Sequence, residues 1–286
     1  MEELGFENEA IESLCNDLER MLACEGSRKL LTEAMDAYAA DQYTDFRALM
    51  QKGTDAGALV GVNEYAAYLL LCILLAPTLR EYYRKAGIAD EIFVETMTDL
   101  KWKLIECQLV KGVYGTFVGS WYRLFFQMQL FTFGRLQFEI RSFRRTYEKD
   151  GKRLEPESLV LGVHIPRMPM PFSKENCEDS YARAAEFFEG RLGGAPTAFV
   201  CNSWLLFPEH EQFLHEKSNI RKFMARFDIT ESKYAEDYSE LWTVFDMEYT
   251  GNIEDFPEDT FLQKAYKDHL RQGGRTGSGF GVFFAD

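Results

Sequence analysis

The chain is short of several things that would mark common protein classes. Six cysteines (15, 24, 72, 107, 177 and 201) are scattered over 286 residues with no CxxC pair, and only four histidines accompany them. That excludes a spaced metal-binding cluster, and with His210 and His215 five apart and His269 in a charged helix, a zinc site is not expected. Positive charge is scarce. Lys and Arg total 32 against 46 Asp and Glu, a net charge of -14 that argues against nucleic-acid and anionic-membrane partners. The most apolar window, "YAAYLLLCILLAPTL" at 65–79, is shorter than the ~20 residues a bilayer requires and contains Pro77. The acidic N-terminus lacks a basic n-region, so the expectation is a cytoplasmic protein with reduced thiols and no signal peptide. No period of 20 to 50 residues repeats, which excludes a solenoid.

What is present is a large core: 46% hydrophobic and 15% aromatic residues. Residues 8 to about 134 carry helical periodicity, as in Ile11, Leu14, Leu18, Met21 and Leu22. Further helices are expected at 27–40, 43–52, 63–86, 90–110 and 119–133, with Gly53, Gly87 and Gly112 as stop signals. Near Gly134 the pattern changes. Leu136, Phe138 and Ile140 alternate with Gln137, Glu139 and Arg141, then "EKDGK" turns the chain into an apolar run at 159–165. A proline loop (Pro166, Pro169, Pro171), a helix at 176–191 and a strand at 198–206 complete a βαβ unit. "FDIT" and "YSELWTVFD" read as a strand pair, followed by a helix at 259–272 and a last strand, "GFGVFF". The chain is thus read as α+β: an all-helical domain at 1–134 and a mixed α/β domain at 135–286.

Several residues are candidates for chemistry. In-register parallel strands would set His164 level with Ser203, about 5 Å apart between backbones, with Cys201 ~7 Å lower. Ligands of such sheets gather beyond the C-terminal strand ends. Cys201 reads more readily as a buried packing thiol than as a nucleophile, since nothing nearby lowers its pKa. Arg135, Gln137 and Glu139 share a strand face, which either lines an interdomain cleft or is an ordinary solvated face. The tail "RQGGRTGSGFG" runs from helix to strand, the reverse of a phosphate loop, and reads as a flexible turn into the last strand.

"GSWYRLFFQMQLFTFGRLQFE", "LGVHIP", "CNSWLLFP", "KSNIRKFMARFDI", "EDFPEDTFLQKAYKDHLRQGG" and "GSGFGVFF" occur in this order. Together they resemble a bacterial family of acyltransferase-domain proteins. Its members join a helical N-acyltransferase N-terminal domain to a GNAT-like C-terminal domain. The resemblance implies transfer of an acyl group from acyl-CoA or acetyl-CoA to an amine of a small molecule or peptide. The glycine-containing pyrophosphate turn known from GNAT proteins has no counterpart in "HIPRMPMPFSKENCEDS". The alternative is therefore a non-catalytic ligand-binding or regulatory protein with a degenerate GNAT-like domain. On the enzyme reading, Glu139 serves as the base, with Ser203 protonating the leaving thiolate and His164 orienting it. Val163, Ile165, Asn202, Arg167 and Lys174 would face the cofactor. Trp121, Arg135, Gln137, Cys201 and Trp204 would line the substrate cleft. Oligomeric state is not legible.

Overall fold

The computed structural model describes residues 1–285 and resolves into two compact units, Met1–Thr132 and the remainder from Phe133. The first is helical: α1 (Asn8–Ala23), α2 (Glu25–Ala40), α3 (Phe46–Ala58), α4 (Glu64–Lys85), α5 (Asp90–Met97), α6 (Asp99–Lys111) and a short α7 (Arg123–Phe126). α4 is the 65–79 window of the sequence. Asn63 caps it by accepting from Tyr65 N at 2.8 Å, and its buried residues include Ala66, Leu70, Cys72, Leu75, Leu79 and Tyr83. Buried on several sides over its first turns and along one stripe beyond them, it is the core helix of this unit. Among the described residues no helix is long and apolar enough to cross a membrane.

Two helix expectations are corrected. The 90–110 helix is divided at Thr98, whose hydroxyl donates to Val94 O at 2.7 Å and competes with the helical ladder. The expected 119–133 helix is a 3-10 turn (Gly119–Tyr122), then α7, then strand β1 (Leu130–Phe133). Met128 adopts a left-handed conformation (φ 52°) and stops the helix, and the alternating aromatics beyond it favour a strand.

The second unit is built on a six-stranded sheet with the order β1-β2-β5-β6-β8-β7, comprising β2 (Leu136–Ser142), β5 (Leu159–His164), β6 (Ala198–Ser203), β7 (Asp228–Tyr234) and β8 (Gly277–Phe284) besides β1. A small hairpin, β3 (Tyr147–Lys149) and β4 (Lys152–Leu154), turns at Asp150–Gly151, both with positive φ. β5, α8 (Lys174–Phe187) and β6 form the expected parallel βαβ unit. Short helices α9 (His210–Phe213), α10 (Asn219–Met224) and α11 (Trp242–Phe245), with the longer α12 (Phe261–Arg271), follow β6.

The two sheet faces are covered differently. On one, α8 contributes Tyr181, which contacts Phe138, Phe199 and Phe283 with ring centroids 4.9–6.1 Å apart. On the other, Phe143, Leu154, Val160, Val200 and Val282 pack together beside the hairpin. The alternating glycines of β8 have a packing reason. A Cβ on Gly279 would lie 2.1 Å from Leu206 O, so the chain after β6 is laid directly on the strand. The tail is thus the expected turn, 272–276, leading into a closely packed last strand. The segment 238–246, expected as a strand, is helical over 239–245. Asp237 accepts from Ser239 N at 2.9 Å to start the turn, and Leu241, Val244 and Phe245 pack in a cluster with Phe256, Tyr266 and Leu270.

Candidate functional site

Strands β5 and β6 pair at Leu161↔Phe199 and Gly162↔Val200, while the strands themselves run on to His164 and Ser203. The ladder thus ends before the strands do, and they part at their C-terminal ends. That register, carried forward, sets His164 level with Asn202. The expected pairing of His164 with Ser203 is off by one residue, and one residue moves a side chain to the opposite face. His164 lies on the face that carries Gln137, its partner on β2. Ser203 lies with Cys201 and Phe199 on the α8 face.

His164 has a different polar partner. Its Nε2 is 2.9 Å from Glu139 Oε1, with both side chains largely shielded (23% and 14% exposed). A carboxylate only accepts, so Nε2 carries the proton and a neutral ring has its lone pair on Nδ1. Local sequence explains the geometry. Glu139 is directly opposite Gly162, and a Cβ there would come within 2.5 Å of Arg141 Cδ and 3.2 Å of Glu139 Cγ. Glycine lets both side chains lie over β5, and Arg141 Nε stands 3.6 Å from Glu139 Oε1. Gln137 is buried opposite His164, while Asn202 is exposed.

Cys201 is 1% exposed, and burial pushes its thiol up to about 12. A thiol so held is unreactive at neutral pH and does not line a cleft; it is packing. Val163 is also buried, and Ile165 is half-buried. Ser203 Oγ accepts from Leu205 N at 3.2 Å, opening the 3-10 turn Trp204–Leu206, so its own proton remains available to donate. Trp204 meets His210 and Tyr266, with centroids 5.9 Å apart in both cases. It also lines a cavity of about 530 Å³ beyond the end of β6, with Asn202, Ser203, Tyr234, Glu240 and Tyr266 among its other walls.

The cofactor-facing candidates separate. Lys174 opens α8, where Ser173 Oγ caps the helix by accepting from Asn176 N at 3.3 Å. Arg167 turns away to an ion pair with Asp246 at 2.6 Å. Arg135 is buried behind the proline loop instead of lining a cleft, its Nη1 donating to Pro166 O at 2.8 Å. Trp121 belongs to the helical unit, where it packs edge-on against Phe125. Sequence reading expected α10 as the helical piece "SNIRKFMARF" but did not single out the cleft it helps to form. With α8 it frames a narrow cleft lined by Ser173, Lys174, Asn219, Lys222 and Arg226, and the rings of Phe172 and Phe223 are 5.0 Å apart across it. The signal was the spacing of Lys222 and Arg226, one helical turn apart in "SNIRKFMARF". Among the described residues no cluster of three or more His, Cys, Asp or Glu is placed to hold a metal ion.

Comparison with known proteins gives this architecture a lineage. The profile of the GNAT-like C-terminal domain matches residues 130–283, and that of the N-acyltransferase N-terminal domain matches 1–128. Among solved structures, the chain is similar to an acyltransferase crystallised with decanoyl-CoA, at 24% identity and TM-score 0.73, covering 100% of this chain and 86% of that one. It is also similar to an acyltransferase in complex with decanoyl-CoA and teicoplanin (24%, TM-score 0.71, 100% and 86%). A third is a complex with CoA and 10C-teicoplanin (24%, TM-score 0.69, 98% and 89%). No curated protein matches. The chain belongs to the family that joins an N-acyltransferase N-terminal domain to a GNAT-like C-terminal domain.

Proposed function

We propose that the protein transfers an acyl group from acyl-CoA directly to an amine of a small molecule or peptide, with His164, held by Glu139, as the general base. The observation that carries this reading is the His164–Glu139 pair at the mouth where β5 and β6 part. The donor would approach from the α8–α10 cleft, where the capped start of α8 and the side chains of Lys174 and Lys222 favour phosphate groups. Phe172 and Phe223 must separate to admit a pantetheine arm. The thioester would then lie between the parted strands, with the acceptor on the His164 face, next to the cavity that Asn202 lines.

In the transfer step the amine nitrogen attacks the thioester carbonyl carbon. An N–C bond forms, the C–S bond breaks, and the amine proton passes to the imidazole. Glu139 stabilises the resulting imidazolium. The thiolate would take a proton from Ser203 on the α8 face, and solvent at the opening would return one to the serine oxygen, without help from His164. Backbone N–H groups of the unpaired strand ends would steady the oxyanion. On this reading Glu139 is the partner of the base and not the base itself, a change from its expected role that the 2.9 Å contact supports.

Thermal stability with and without acetyl- and longer acyl-CoA tests the reading. Ligand at 100 times its dissociation constant adds about 2.7 kcal/mol, a rise of roughly 5 °C or more in a chain of this size. No shift with any acyl-CoA refutes the donor assignment. A shift with no acylation of any primary amine would favour the non-catalytic alternative.

A further inference from the structure

Arg135 is 7% exposed, yet among the described residues no carboxylate pairs with it and its Nε has no hydrogen-bond partner. An uncompensated buried cation is expensive, and burial accordingly lowers its pKa. Its surroundings show where it acts. Nη1 donates to Pro166 O at 2.8 Å, and the guanidinium carbon stands 5.0 Å from the Phe172 ring centre. The Arg135 backbone N–H donates to Ser180 Oγ at 2.9 Å, and that hydroxyl donates to Asn176 O at 2.7 Å. Asn176 Nδ2 in turn donates to Pro171 O at 2.8 Å. Both ends of the 166–172 loop are therefore tied by side-chain donors. Its prolines at 166, 169 and 171 have no N–H to offer an anion.

We propose that Arg135 is a positioning residue for the phosphate end of the donor. Its guanidinium fixes the loop through Pro166 and Phe172, and its unpaired charge stands behind the first turn of α8. There Ser173, Lys174 and Lys222 would meet a diphosphate. This rests on the acyl-CoA reading. A buried charge retained without a counter-ion makes sense where the ligand brings the negative charge, whereas a neutral side chain would serve a purely mechanical strut.

Titration calorimetry of the whole protein with CoA and with pantetheine, which lacks the diphosphate, decides it. For Arg135→Met the expected result is about a tenfold or greater loss of CoA affinity with pantetheine unchanged, since a charge-assisted contribution is removed. Arg135→Lys should recover most of the loss. If Arg135→Met does not fold, Arg135→Gln, which keeps a donor for the Pro166 carbonyl but no charge, reads the same ratio. Equal weakening of both ligands reduces Arg135 to packing and overturns the proposal, as does unchanged CoA binding. A wild-type protein that binds neither ligand refutes the donor reading and this inference with it, whereas CoA binding that survives Arg135→Met overturns the inference alone.

Discussion

Glu139→Gln is the sharpest test of the base. The substitution keeps size and a hydrogen-bonding group opposite Gly162 but removes the charge 2.9 Å from His164 Nε2. When the imidazole accepts the amine proton, wild-type Glu139 faces a full positive charge. With both side chains mostly shielded, an effective dielectric near 20 gives about 4 kcal/mol for charge centres ~4 Å apart. Neutral glutamine recovers about 1 kcal/mol as an ordinary hydrogen bond. The net loss in the transition state is then about 2–3 kcal/mol, a fall in kcat of roughly 30- to 150-fold.

The assay is single-turnover and steady-state acyl transfer, following release of free CoA, with thermal stability recorded alongside. KM for the acyl-CoA should hold, because Glu139 lies on the opposite sheet face from the α8–α10 cleft. A Glu139→Gln enzyme within threefold of wild-type kcat refutes the imidazolium argument. So does a variant whose only defect is acyl-CoA binding, for then Glu139 would shape the cleft and not the chemistry.

Two further predictions are independent of turnover chemistry. Cys201→Ala should leave kcat within about twofold and cost about 1 kcal/mol of stability as a small core truncation; in the native protein a thiol reagent should label half-buried Cys15 and Cys24 well before Cys201, and rapid labelling of Cys201 would contradict its packing role. His210 is fully buried against Tyr266, and burial depresses its pKa to about 4, below the ~6.5 of an unfolded chain. Between these values the unfolded chain binds the proton and the folded one does not, so the stabilisation is complete above pH 6.5 and is lost as pH falls towards 4. Urea unfolding at pH 7.5 and 4.5 should show about 2–3 kcal/mol more loss for wild type than for His210→Gln, and equal losses would refute it.

The helical half was readable because its pattern is strong over long stretches. Leu14, Met21, Leu31 and Leu75 are buried where period 3.6 places them. The failures there are local. Met128 and Thr98 end helices through a left-handed residue and a competing hydroxyl, which no apolar periodicity records. In the second half, alternation identified β2, β5 and β6 and the Asp150–Gly151 turn. The strand expected at 238–246 failed because nine residues rich in aromatics satisfy period 2 and a short helix almost equally. Packing of Leu241 and Phe245 with Phe256 and Tyr266 decided for the helix.

The site itself was lost by a single position. Residue types and segments were legible: His164, Glu139 and Ser203 all lie near the parted strand ends. Whether His164 meets Ser203 depended on whether β5 meets β6 with Leu161 beside Phe199 or one residue further along, and both strands are apolar enough for either. What fixes the register is a contact distant in sequence. Phe199 must reach Phe138, Tyr181 and Phe283 on the α8 face, while Val200 must join Val160 and Val282 near the hairpin. Exchanging those faces would put Asn202 into the aromatic core and expose Cys201. That register leaves Ser203 on the far face, while the separate pairing of β2 with β5, Glu139 opposite Gly162 and Gln137 opposite His164, brings His164 to Glu139. On the proposed mechanism, a base and a leaving-group donor on opposite sides of one opening suit direct transfer, since the amine attacks the carbonyl carbon from one direction and the thiolate leaves in another. The packing of the aromatic core therefore sets the face that Ser203 takes, and on the proposed mechanism a shift of the β5–β6 register would move the leaving-group donor while leaving the His164–Glu139 pair in place.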